Sequence, residues 1–305
     1  MKKYFNDKRK LAIFSVFLLV TLAACSSPRL ADGSIDPKQI IDLSTSWGSV
    51  FSSGWFDGIF VYPVAQLINI FGNITGDAGL AIILAVLAIN ILIGGVTLKS
   101  QMSQQKMQMC KPELDRINAK YKNKKDDRSR QLQAKELQDL YAKYDINPFG
   151  SIIPMLIQLP VMFSVYYAVM RAKTVIGGTF VGIELDTTPL NGVSDGQFVY
   201  LIIFGLMILA QFLSMKMPQW LTERRKKLEK VKTKKYAQAK PSGGMMESSM
   251  NAMMYVSLGM ISLLCLNWPL SMSFYWLVNA ATRVGQNVII DHIIGKKNQD
   301  EKKLV

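Results

Sequence analysis

The feature that most limits how this chain can fold is its division into five long apolar runs with lysine- and arginine-rich stretches between them. A helix rises about 1.5 Å per residue, so about 20 apolar residues cross a hydrocarbon core of about 30 Å. No water inside lipid satisfies peptide N–H and C=O groups, and a helix satisfies its own. The runs 79–98, 149–169, 197–215, 252–268 and 270–290 therefore read as five transmembrane helices, and the chain as an all-α membrane protein. Half of its 305 residues are hydrophobic, yet 36 Lys and Arg stand against 22 Asp and Glu, a net charge of +14. In a soluble protein that excess would point to nucleic acid; in a membrane protein it marks cytoplasmic loops.

The positions of the charges decide between these. Residues 99–147 hold 12 basic side chains, 216–250 hold 10 and the tail 291–305 holds four. Residues 26–78 carry only Arg29 and Lys38, and 171–195 only Arg171 and Lys173. Short cytoplasmic loops are the ones enriched in Lys and Arg, so the first set lies inside and the second outside. Contact with anionic lipid headgroups follows from this placement, and sequence-specific nucleic-acid binding does not.

The N-terminus agrees independently. Lys2, Lys3, Lys8, Arg9 and Lys10 precede an apolar stretch over 11–24, the pattern of a secretory signal in residues 1–24. It ends in Leu22-Ala23-Ala24-Cys25, which looks like a bacterial lipobox. Cys25 is then expected to carry covalent diacylglycerol and an N-acyl chain such as palmitate, each buried methylene anchoring by about 0.8 kcal/mol. An exported, lipid-anchored N-terminus followed by five spans leaves the C-terminus inside. Cys110 and Cys265 have no metal-spaced neighbour and read as reduced thiols.

Residues 25–78 form an extracytoplasmic segment. From Trp55 to Phe71 it is moderately apolar but broken by Asp57, Pro63, Gln66 and Asn69, which reads as an interfacial helix, with Trp47, Trp55 and Tyr62 at headgroup level. A second extracytoplasmic loop covers 170–196. In the cytoplasmic stretch 99–147, Leu114, Ile117 and Tyr121, then Leu137, Leu140 or Tyr141 and Tyr144, recur at helical spacing around the polar turn 122–127. This predicts an antiparallel helical hairpin, with Met102, Met107 and Met109 as adaptable apolar surface near its base. The basic loop 216–251 has little to pack and reads as a mobile connector.

Nothing in the chain points to catalysis. His292 is the only histidine and lies at a predicted membrane edge beside Asp291, without a nucleophile to serve. No catalytic residue, metal or bound cofactor is expected. A small transporter or channel is the other class to weigh, because intramembrane Arg and Asn also mark ion pathways. The sequence shows no pair of broken helices in matching halves, and Pro148, Pro154 and Pro160 bend one span only.

In this order of elements the mature chain resembles the YidC/Oxa/Alb insertase family. The blocks that carry the likeness are Gly79-Leu80-Ala81-Ile82-Ile83-Leu84, Thr97-Leu98-Lys99-Ser100, Gln105-Lys106-Met107, Asn147-Pro148 with the run from Pro154 to Pro160, and Ser273-Phe274-Tyr275-Trp276-Leu277-Val278. The lipobox and brief basic tail resemble the Gram-positive form with a short C-terminus. The resemblance implies five spans around a hydrophilic groove open to cytoplasm and lipid. Its clients would be nascent membrane proteins, delivered alone or alongside the Sec translocon, with the basic loops available to ribosomes.

One departure stands out. The family places a groove arginine in the first span, in a context like Val-Arg-Leu-Ile-Leu-Leu-Pro-Leu-Thr-Leu-Lys, where this chain has Asn90 in Ile89-Asn90-Ile91-Leu92-Ile93-Gly94-Gly95. Arg283 instead sits inside the fifth span, where an arginine costs roughly 2.5 to 3.5 kcal/mol on insertion scales. Counted from the cytoplasmic ends, Asn90 is eight residues from Leu98 and Arg283 eight from Asp291. Trp276, Asn279, Arg283, Gln286 and Asn287 share one helical face. The pattern predicts a groove cation moved from the first span to the fifth; the alternative is an arginine snorkelling to cytoplasmic headgroups about 12 Å away. Gln158, Gln211 and Ser214 are further groove candidates, each of which could simply bond a neighbouring helix.

Overall fold

The computed structural model describes residues 35–124, 126–147, 152–228 and 245–303. The signal and lipobox, with Cys25, lie outside the described residues, as do most of the basic connector (229–244) and Pro148-Phe149. In chain order the helices are α1 (Trp47–Ser53), a π turn (Asp57–Val61), α2 (Tyr62–Thr75), α3 (Ala78–Tyr121), α4 (Asp127–Lys143), α5 (Ile152–Arg171), α6 (Pro189–Ser194), α7 (Val199–Leu228), α8 (Met245–Asn267) and α9 (Leu270–Lys303). A small hairpin, β1 (Thr179–Phe180) with β2 (Ile183–Glu184), is the only sheet among the described residues.

Three stretches are long and apolar enough to cross a membrane: Asp57–Thr75, Ala78–Tyr121 and Val199–Arg225. Leu156–Arg171 and Met254–Asn267 are shorter apolar helices. The segment expected to lie at the interface, 55–71, therefore has by length and composition the makings of a span as well. Conversely α9, expected to span over 270–290, is not among the apolar helices. Asn279, Arg283, Gln286 and Asn287 dilute its apolar character along one face, which suits a helix packed on polar partners better than one surrounded by lipid.

The chain divides into two compact units. The first comprises the described residues up to Ala85 with Gln158–Thr188 and Pro269–Tyr275. Here residues 36–46 are sewn along α2 and the end of α5. Ile41 pairs with Ala172 as an isolated parallel bridge, its N–H donating to the Arg171 carbonyl (2.7 Å) and its own carbonyl accepting from Lys173 N–H (2.9 Å). Buried Asn69 satisfies two main-chain groups at once: its Nδ2 donates to the Ile41 carbonyl (2.8 Å) and its Oδ1 accepts from Thr174 N–H (3.1 Å). Gln66 donates to the Asp42 carbonyl (2.7 Å), and the Tyr62 hydroxyl to that of Thr45 (3.0 Å). The polar residues that break the 55–71 pattern are thus the stitches of this segment.

The Arg171 guanidinium is 3% exposed and meets Asp57 at 2.8 Å, while its Nε donates to the Gln39 carbonyl (2.8 Å). The small hairpin turns at Val181 (φ 51°) and Gly182 (φ 78°), left-handed conformations that a two-residue turn requires. It lays Phe180 edge-on against Phe274, ring centroids 5.1 Å apart. Gly79 is needed beside it, since a Cβ there would stand 2.3 Å from the Phe180 ring.

The second unit comprises Val86–Ile157, Pro189–Trp268 and Trp276–Val305. It holds α3 from Val86 onward, a helix that counts 44 residues from Ala78 to Tyr121, or roughly 66 Å, more than twice the hydrocarbon core. Asp126 caps α4 by accepting from Ser129 N–H (2.9 Å). Leu114, Tyr121 and Leu140 are buried between α3 and α4. Polar pairs flank that core: Glu113 accepts from Tyr144 and Lys143, Asn118 from Gln133, and Glu136 from Lys120 and Tyr121. The bonds to Glu136, that from Lys120 foremost, hold its carboxyl below the ordinary carboxylate value.

Candidate functional site

On α3, Asn90, Gly94, Thr97, Gln101, Gln105 and Gln108 follow one another at steps of four, three, four, four and three, which keeps them on one helical face. Ile91, Leu92 and Val96, off that face, are 69–74% exposed, as side chains in contact with lipid would be. The polar face meets α9. Gln101 Nε2 donates to Gln286 Oε1 (3.1 Å) and to its own-helix neighbour Thr97 Oγ1 (3.0 Å). One turn on, Gln105 Nε2 donates to both the main-chain carbonyl and the Oδ1 of Asn287, each at 3.2 Å. Gly94 lies against this seam, where a Cβ would come 2.6 Å from Gln286 Nε2, the far end of a flexible side chain.

The cation lies on the same α9 stripe: half-buried Arg283 comes one turn before Gln286. Trp276 and Asn279, further up α9, are both buried. Beyond the seam, Arg225 of α7 forms an ion pair with Asp291 and also donates to its carbonyl, with Met109 sulfur 3.7 Å from the guanidinium. His292 is exposed.

Several buried amide atoms have no hydrogen-bond partner among the described residues: Nδ2 of Asn90, Asn279 and Asn287, and Oε1 of Gln211 and Gln108. Leaving such a group dry costs about 1–3 kcal/mol, so a cluster of them is stable only where water or another polar partner reaches it. Gln211 and Ser214 are fully buried on α7 in this same unit. Ser214 Oγ is committed to its own helix, donating to the Gln211 carbonyl (2.9 Å), whereas Gln211 Oε1 has no partner among the described residues. Gln158 is placed differently: it lies in the first unit, where its Nε2 donates to the hydroxyl of buried Tyr275.

Gln101 and Gln105 were not legible as site residues, because a first span ending at 98 assigns residues 99–147 to the hairpin. Gly94 lies inside that span but has no side chain to mark it. Continuing the Asn90 face past 98 at three- and four-residue steps finds all three.

Residues 70–298 match the family model described as 60Kd inner membrane protein. The membrane protein insertase MisCA of Bacillus subtilis (strain 168) is 28% identical over 96% of this chain and 94% of its own length. The membrane protein insertase YidC 2 of Bacillus anthracis is 27% identical over 93% and 94%, and the membrane protein insertase YidC of Enterococcus faecalis 28% over 96% and 87%. An all-α, multi-pass membrane protein with a polar face across its first and last long helices, matched along almost its whole length by such relatives, belongs to the 60Kd inner membrane protein family, that of the YidC/Oxa insertases.

Proposed function

We propose that this protein is a membrane protein insertase, and that the polar seam of α3 and α9, with Gln211 of α7, is where client segments pass. The observation that carries the reading is the set of buried amide atoms without partners among the described residues on α3, α7 and α9, the last of which also carries half-buried Arg283, in a family whose relatives are named insertases. A polar client segment in plain hydrocarbon leaves groups unsatisfied at several kcal/mol each; a hydrated polar face reaching partway across shortens that barrier. Lowering it requires placement and hydration alone, with no covalent chemistry on the client.

Arg283 supplies the cation that family members carry in the first span. It draws acidic residues of a client's translocated segment, and it stands eight residues from Asp291 as Asn90 stands eight from Leu98. Trp276, Asn279 and Gln286 line the same face, and Gln158 supports the fold of its own unit. Clients are nascent membrane proteins with short translocated tails, delivered by ribosomes that the basic hairpin and loops can meet, alone or beside the Sec translocon. The lipidated Cys25 anchors the N-terminus at the outer face, the C-terminus lies in the cytoplasm, and the basic loops lie against anionic lipid. The test is replacement: in cells depleted of all other insertase activity, this chain restores growth and client insertion, and failure to do either refutes the reading.

A further inference from the structure

The hydrogen bonds of the α3–α9 seam are unusual for a fixed helix contact. Those of Gln101 to Gln286 and of Gln105 to Asn287 are between neutral amides, at 3.1–3.2 Å. Each is a weak net contribution, because opening it exchanges one hydrogen bond for another. The ion pair Arg225–Asp291, by contrast, locks α7 to α9 in the same unit. An amide pair has one further property: its donor and acceptor are those of a peptide group. A stretch of client main chain can therefore replace one amide with another at little net change in hydrogen bonding, which it cannot do to an ion pair.

The neighbouring atoms favour such an exchange. Asn279 (5% exposed) and Asn287 (6%) each keep an unpartnered Nδ2, as does Asn90 on the facing helix, so three donors are available for carbonyls before any seam bond has to open. Gly94 leaves the seam without a side chain on the α3 side at the level of Gln286. Resting on the insertase reading above, we propose that the Gln101–Gln286 and Gln105–Asn287 pairs form a clasp that an extended stretch of client main chain opens by taking over its hydrogen bonds. A client segment already helical has satisfied its own peptide groups and does not compete. The ligand class is thus extended, hydrophilic polypeptide, recognised through its backbone and without regard to side-chain sequence.

The experiment uses the full chain in membranes with ribosome-bound chains of a single-span client bearing a hydrophilic N-terminal tail. A photo-reactive residue is placed in turn at 101, 105, 286 and 283. The expected result is client adducts from 101, 105 and 286 that map to the tail and fall at least tenfold when the tail is replaced by a helix-forming alanine-rich one. Adducts from 283 with none from 101, 105 or 286 overturn the clasp while leaving the insertase reading in place. Absence of adducts at all four positions overturns both. In a second arm, cysteines at 101 and 286, with Cys110 and Cys265 changed to serine, are joined by a short reducible thiol cross-linker. Insertion by the joined protein falls at least tenfold relative to the same protein unjoined and returns on reduction; an unchanged rate when joined refutes the clasp.

Discussion

Replacing Asp57 by Asn tests whether the stitched segment 36–46 depends on a buried charge pair. Asp57 meets Arg171 at 2.8 Å, and Arg171 is 3% exposed, so the substitution leaves a guanidinium out of water with the Gln39 carbonyl as its remaining bonded partner. Removing one member of a buried pair costs about 3–5 kcal/mol. Asp57 is 16% exposed, so water partly screens the pair, and the retained Gln39 bond offsets more; about 2 kcal/mol is the reasonable figure. That corresponds to about a 30-fold rise in local opening. The assay is amide hydrogen exchange at Ile41 and Lys173, whose N–H groups bond across the Ile41–Ala172 bridge. Protection at both falls about 30-fold in Asp57→Asn, while amides in the hairpin of α3 and α4 are unchanged. Wild-type protection at Ile41 and Lys173 would refute the reasoning, showing that the Asn69 bonds hold the segment without the ion pair.

Arg283→Lys retains most insertion of acidic-tailed clients and Arg283→Ala loses it, because a charge at this height matters more than bidentate geometry; rates for the two variants in one insertion assay decide it. Arg283→Ser with Asn90→Arg recovers much of what Arg283→Ser alone loses, and a double variant no better than the single one refutes the exchange of positions. Cys25→Ala abolishes fatty-acid labelling and only partly reduces insertion, since the helices already hold the protein in the bilayer; label retained on the variant removes the lipobox. In the hairpin, Glu136 has its carboxyl held low by bonds from Lys120 and Tyr121. Its contribution is therefore complete above the ordinary value of 4.5 and is lost as pH falls through the lower folded value. The distance between spin labels on α3 and α4 broadens on acidification through that window, and the pH dependence shrinks in Glu136→Gln.

Apolar run length showed the helices, and charge placement gave their expected sidedness, because both follow from the bilayer as solvent. Leu114, Tyr121 and Leu140 were legible as a hairpin core from three- and four-residue spacing, and all three are buried. In the sequence Asn69, Gln66 and Asp57 are only interruptions of an apolar stretch, since their partners (Ile41, Asp42 and Arg171) come from distant segments whose approach no local pattern encodes. At the candidate site, the α9 face from Trp276 to Asn287 was visible as a helical stripe. Its partner stripe was cut in two by the expected end of the first span at 98, whereas α3 continues to Tyr121. The polarity of Gln158 marks it equally for a groove or for a bond to a neighbouring helix, and no local pattern encodes the bond it makes to Tyr275.

The most direct measurement is insertion by the purified protein in liposomes without any other translocation component. A single-span client with a short acidic tail is synthesised in their presence, and the fraction of tails protected from external protease is compared with empty liposomes. Insertase function through the polar seam predicts protection well above the empty control with the wild-type chain and near the control with Arg283→Ala. Protection by the wild-type chain no greater than in empty liposomes contradicts it.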